Sequence, residues 1–152
     1  MSLKERIDQQ IKAAMKAKDK IRLETVRSIK KQILETEVSL RPSGQETLTE
    51  AQELELLSKL AKQRRESIEQ YEQANRPDLA EREATELAII EEFLPRQLDD
   101  AQVSAIVDEI IARVGASSPK DMGKVMGPAM QQLKGKADGK KVQDMVKAKL
   151  GS

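Results

Sequence analysis

The chain contains no cysteine, no histidine and no tryptophan, and Tyr71 and Phe93 are its only aromatic residues. Without cysteine and histidine there can be no disulfides, thiol nucleophiles, imidazole general bases or Cys/His zinc sites. Neither a metal nor a cofactor is expected. Without aromatics there is no platform on which single-stranded bases could stack, and any core must be built from Val, Ile, Leu, Met and Ala. No apolar run approaches the roughly 20 residues needed to span a bilayer, so no membrane association is expected. Met1-Ser2-Leu3-Lys4-Glu5-Arg6 has neither the apolar centre nor the cleavage pattern of a signal peptide. With no disulfide to suggest secretion, the expected location is cytoplasmic. No stretch alternates with a period of two, so no sheet is expected, and no internal repeat is evident.

What the chain does have is charge and helical periodicity. Charged residues make up 35% of the 152 positions and apolar residues 38%, a balance suited to exposed helices with narrow apolar stripes. Ser2 with Glu5 forms a capping box ahead of Leu3, Ile7, Ile11, Ala14 and Met15, which predicts a helix over 3–17. Asp19 caps a second helix over about 20–39, with Leu23, Val26, Ile29, Ile33 and Leu40 on one face. Arg41-Pro42-Ser43-Gly44 is a loop. Thr49 caps a third helix over about 50–74 through Leu54, Leu57, Ala61, Ile68 and Tyr71. Asn75-Arg76-Pro77-Asp78 stops it and starts a fourth over about 78–94, since proline suits a first turn.

Pro95 disfavours helical geometry at Leu94, and the domain boundary is placed there. Asp99 or Asp100 caps a fifth helix with Val103, Ile106, Val107, Ile110 and Val114, ending at Gly115 in a left-handed conformation. Ser118-Pro119-Lys120-Asp121 reads as the start of a sixth helix carrying Met122, Val125, Met126, Met130 and Leu133, with a kink expected near Gly127-Pro128. Asp138 caps a seventh helix with Val142, Met145, Val146 and Leu150. The expected fold is all-α: an N-terminal antiparallel helical domain over 1–94 and a C-terminal three-helix domain over 96–152.

The net charge is +1, but it is unevenly spread. From Arg113 to Leu150 nine bases face three acids, leaving +6 there and −5 on the remainder. Such asymmetry points to an acidic partner, although charge alone suits a solvated helix face equally well. The basic residues concentrate in Lys134-Gly135-Lys136-Ala137-Asp138-Gly139-Lys140-Lys141. Gly135 can end the sixth helix, and Asp138 opens the seventh. The stretch is expected to present backbone N–H groups and ammonium groups to an anion, phosphate of RNA foremost. The opposing reading is a basic turn with no ligand. The glycine spacing is not that of a P-loop, which also follows a strand. Recognition of folded RNA by shape and phosphate is the form of nucleic-acid binding open to such a composition.

Other candidates are weaker. Glu91-Glu92 and Asp99-Asp100 are paired carboxylates, but helix neighbours point about 100° apart, and capping or dipole roles suit them better. No motif singles out a nucleophile, and no catalytic residue is assigned. Met122, Met126 and Met130 share one helix face, where they could receive a partner helix or simply fill a core.

Three stretches resemble the YqeY-like family: Gln70-Tyr71-Glu72-Gln73-Ala74-Asn75-Arg76-Pro77-Asp78-Leu79, then Glu92-Phe93-Leu94-Pro95-Arg96-Gln97-Leu98, and in the tail Asp121-Met122-Gly123-Lys124-Val125-Met126 with Lys134–Lys140 and Val142. The likeness covers essentially the whole chain. From about Leu98 onwards the chain also resembles the tail of the B subunit of tRNA-dependent amidotransferases. There the helical tail helps to hold tRNA, while the activation and transfer chemistry belongs to a separate domain. Nothing in residues 1–97 resembles that domain. A lysine usually follows the Val-Met pair in the amidotransferase tail, whereas Gly127 and Pro128 follow here, so residue-level transfer is firmer at Lys134–Lys140.

The resemblance implies an accessory protein without its own active site that binds tRNA or another structured RNA. Lys134, Lys136, Lys140 and Lys141 would meet phosphate, Gly135 and Gly139 would set the turn, and Asp138 would cap the helix. Lys120 and Lys124 would extend the surface. Two alternatives stand beside it: an adaptor docking on a protein partner, and an auxiliary subunit in glutamine-dependent amide transfer that needs a catalytic partner.

Overall fold

The computed structural model describes residues 1–151 and is all-α, as the periodicity predicts, with seven α-helices and no strand among the described residues. The helices are α1 (Leu3–Ala17), α2 (Lys20–Leu40), α3 (Glu50–Gln73), α4 (Pro77–Glu91), α5 (Asp100–Val114), α6 (Met122–Leu133) and α7 (Gly139–Lys149). The chain forms two compact units, Met1–Leu94 and the residues from Pro95 onwards.

In the first unit α1 and α2 form an antiparallel hairpin. Lys18, in the left-handed conformation at φ +58°, ends α1 and turns the chain within two residues. The hairpin is laced by charge, with Lys4 on Glu37 at 3.1 Å and Lys30 on Asp8. Arg64 on α3 meets Glu83 and Glu86 of α4 at 3.4 and 3.2 Å, and α3 and α4 are joined by a turn with Asn75 at φ +56°. Ile7, Val26, Ile29, Ile33, Leu57, Ala61 and Ile90 meet in the core. Before Pro95 the last turn of α4 tightens into i→i+3 hydrogen bonds at Glu92, Phe93 and Leu94, so the helix proper stops at Glu91, short of the expected 94.

The second unit is a three-helix arrangement around Val103, Val107, Ile110, Val125, Ala129, Leu133, Val142 and Val146. Its topology follows from two ion pairs. Lys141 at the start of α7 meets Asp100 at the start of α5, and Lys149 at the end of α7 meets Asp108 further along α5 at 2.8 Å. Both pairs keep the same order along the two helices, so α5 and α7 run parallel. The intervening α6 must then run back between them. Gly115 ends α5 at φ +70° as expected.

The sixth helix starts differently from the sequence expectation. Pro119–Asp121 form a short 3₁₀ turn, and Ser118 makes no capping hydrogen bond. The Asp121 carboxylate instead accepts from the Ser117 N–H at 2.9 Å. That hydrogen bond and the neighbouring Lys124 ammonium hold the Asp121 carboxyl below its ordinary value. Met122, Met126 and Met130 all pack against the second core, which is the core-filling reading of that stripe.

Candidate functional site

The basic stretch lies at the end of the second unit where α5 and α7 both begin and α6 ends. Parallel packing therefore brings two helix N-termini together, each with a partial positive charge of roughly half a unit from its aligned peptide dipoles. Lys134, Lys136, Lys140 and Lys141 are exposed around that end, while Gly135 is buried.

The local geometry departs from expectation in three ways. First, the turn does not hold its own N–H groups outward. The Lys136 and Ala137 N–H groups both donate to the Leu133 carbonyl, at 2.9 and 3.2 Å. With Gly135 at φ +76° the chain folds back on the end of α6, and those donors are used in closing the helix. Second, Asp138 occupies the N-cap position of α7 in extended geometry, but its side chain makes no capping hydrogen bond. Third, Lys141 is engaged with Asp100, although its side chain stays half exposed. The charged groups at this end are the ammonium groups of Lys134, Lys136, Lys140 and Lys141 together with the carboxylates of Asp99, Asp100 and Asp138.

Gly139 has a packing reason. A Cβ built there would meet the Met130 Cε at 3.2 Å, tighter than ordinary contact. The first residue of α7 thus sits closely on the end of the Met130 side chain, which would have to shift by a few tenths of an ångström to admit a Cβ.

Lys120 and Lys124 are not brought to this end. They precede and open α6, whereas Lys134 follows its last residue. At 1.5 Å per residue, the ten positions from Lys124 to Lys134 span about 15 Å along the axis. Lys124 also pairs with Asp121 at 3.5 Å. The expectation that these two lysines extend one surface with Lys134–Lys141 does not fit the antiparallel course of α6.

The carboxylate pairs are spoken for structurally. Glu91 lies 3.9 Å from Arg65, and Glu92 receives two hydrogen bonds from Arg22, at 3.2 and 2.6 Å. The Glu92 carboxylate raises the Arg22 pKa in turn. Asp99 caps α5 in a full capping box with Gln102, and Asp100 holds Lys141. Among the described residues no group of three or more Asp or Glu side chains is placed to hold a metal ion. No helix among them is long and apolar enough to cross a membrane.

The sequence reading missed the segment that braces the turn. Residues 95–98 lie alongside it as a strap. The Leu98 N–H donates to the Lys136 carbonyl at 2.9 Å, and Gln97 Nε2 donates to the Gly135 carbonyl at 2.6 Å and to the Pro95 carbonyl at 2.9 Å. The signal was present as Leu94-Pro95-Arg96-Gln97-Leu98, but it read as a helix stop, a domain boundary and part of a family resemblance, and not as a brace for the turn.

Several known proteins are similar to this chain in sequence. The chain is 34% identical over 111 residues to "Altered inheritance of mitochondria protein 41, mitochondrial" of Lachancea thermotolerans, a match covering 72% of this chain and 58% of that protein. It is 28% identical over 152 residues to the protein of the same name from Pyrenophora tritici-repentis, covering 95% and 81% respectively. A shorter match, 38% over 79 residues, joins 47% of this chain to 17% of the B subunit of the aspartyl/glutamyl-tRNA(Asn/Gln) amidotransferase of Neisseria meningitidis serogroup C. The fungal names overturn the expected cytoplasmic location, because those relatives are named as mitochondrial proteins. That expectation rested on absent cysteines and an absent leader pattern, and absences carry no address. The family model described as Yqey-like protein matches residues 4–150, and the chain therefore belongs to the YqeY-like family.

Proposed function

We propose that this protein binds structured RNA, tRNA foremost, through phosphate contacts at the end of its second unit. The observation that carries the proposal is the convergence at one end of two helix N-termini with exposed Lys134, Lys136 and Lys140. Helix N-termini and mobile ammonium groups are the standard protein complement to phosphate. Lys140 and Lys141 contribute in part, since each also interacts within the fold, Lys141 with Asp100. Gly135 and Gly139 shape the turn, and Asp138 keeps one negative charge beside the binding end. The partial match to an amidotransferase component whose name includes tRNA supports RNA as the ligand class. With two aromatics in the whole chain, contact to the sugar-phosphate surface of a folded RNA suits these residues better than base stacking.

No transfer chemistry is assigned to this chain. In an amide-transferring assembly its part would be to hold the RNA.

A mobility-shift titration of the purified protein with total tRNA at low salt tests the proposal. Binding is expected for the native chain, with a marked loss in Lys136→Glu combined with Lys140→Glu. Undetectable binding of the native chain, or equal binding by the double variant, would overturn it.

A further inference from the structure

Resting on the RNA-binding reading above, we infer that the phosphate surface extends onto the strap over residues 95–98 and that Arg96 is a further phosphate-contacting residue. Arg96 lies far in sequence from the lysine cluster and outside the +6 tail. Tertiary hydrogen bonds bring it there. The Leu98 N–H on the Lys136 carbonyl, at 2.9 Å, and Gln97 Nε2 on the Gly135 carbonyl, at 2.6 Å, fix the strap against the turn. Arg96 is two residues from Leu98, so its Cα can be no further than about 7 Å from that of Leu98. Its side chain is exposed and forms no ion pair among the described residues.

The nearby acids have other partners. The Asp99 carboxylate accepts from the Gln102 N–H at 2.8 Å, Asp100 is taken by Lys141, and Asp138, two residues from Lys136, is also engaged. The Arg96 guanidinium is therefore left to the solvent side, close enough to Lys136 for both to act within about one Debye length of the same phosphate run. A guanidinium also adds what the lysines lack, a planar fork that can hold two phosphate oxygens at once. Gln97 is the positioning residue, for its single amide bridges strap and turn.

The test compares tRNA affinity across 50–200 mM salt for the native chain and four variants: Arg96→Ala, Arg96→Lys, the Lys136→Glu/Lys140→Glu double variant and Arg113→Ala. Arg113 is an exposed base in the last turn of α5, at the other end of the same unit. Removing one phosphate contact lowers the slope of log K against log salt by about 0.7–0.9, so the affinity lost between 50 and 200 mM shrinks about threefold in Arg96→Ala. Arg96→Lys should recover the slope, and Arg113→Ala should leave it unchanged. Melting curves should stay superimposed, because an exposed guanidinium without a partner contributes nothing to the fold. If the native chain binds and the double variant weakens it, but Arg96→Ala keeps the native slope, the extension onto the strap is wrong and the RNA reading stands. If the native chain fails to bind, both fall.

Discussion

Replacing Gly135 tests how the basic turn is built. Its φ of +76° lies in the left-handed region, the residue is buried, and its carbonyl accepts from Gln97 Nε2 at 2.6 Å. An L-side chain in that conformation costs about 1–2 kcal/mol. Alanine also removes freedom from the unfolded chain, which returns about 0.4–1 kcal/mol. Gly135→Ala should therefore destabilise the second unit by about 0.8 kcal/mol at mid-range and up to about 1.6 kcal/mol, a several-fold rise in the open population. Asn tolerates the left-handed region and should fall between Gly and Ala, while Val should be worst. Gly123 in the first turn of α6 is the matched control. Nothing lies within 4 Å of a Cβ built there, and its φ is not positive. Gly123→Ala should gain up to about 0.4–1 kcal/mol. Amide hydrogen exchange at Val142 and Val146 reads the stability of this unit directly, without assuming that the whole chain unfolds in one step. Opposite signs are expected for the two alanine variants. A Gly135→Ala chain as well protected as the native one would refute the claim that a left-handed residue closes α6 and fixes the strap to the turn.

Three further outcomes follow from the same structure. Leu133 is fully buried in a core made mainly of valines and small residues, so Leu133→Ala should cost about 2–5 kcal/mol, read by the same exchange measurement. Arg64 sits between Glu83 and Glu86 with only about a quarter of its side chain exposed, and Arg64→Ala should lower the chemical-denaturation midpoint by an amount worth about 1–3 kcal/mol, between the exposed and buried limits for ion pairs. The Asp121 carboxyl is held below its ordinary value by the Ser117 N–H and the Lys124 ammonium, so its contribution to stability is complete above the ordinary aspartate range and disappears as pH falls through the lowered value. Asp121→Asn should therefore melt earlier than the native chain near neutral pH and converge with it in strong acid; a constant gap would contradict this assignment.

The helices were legible because their ends are marked by residues with strong local demands. Asp19, Thr49 and Asp99 accept from the N–H three residues on, and Gly115 and Gly135 take the left-handed φ that their positions require. The three-helix tail was legible from its stripes of Val, Ile, Met and Leu. The arrangement of the site was not, because a helical stripe shows which face is buried and says nothing about which ends meet. Lys120 and Lys124 are near Lys134 in sequence order and a helix length away in space. Arg96 is distant in sequence and is brought to the same end by the strap. Asp138 has the right residue type and backbone for a cap, yet its side chain makes no capping hydrogen bond. Two N–H groups of the turn, those of Lys136 and Ala137, were likewise taken up by the Leu133 carbonyl, because ending α6 and presenting an anion site compete for the same donors.

Whether Lys136 and Lys140 meet RNA phosphate is decided by equilibrium binding of tRNA to the purified chain over a salt series. Measurable binding is expected at low salt, with log K falling linearly with log salt by about 0.7–0.9 per phosphate neutralised, and a shallower slope in the Lys136→Glu/Lys140→Glu chain by about two such contacts. Binding with the same affinity and the same slope in both chains, or no binding at low salt, would contradict phosphate contact at these two lysines.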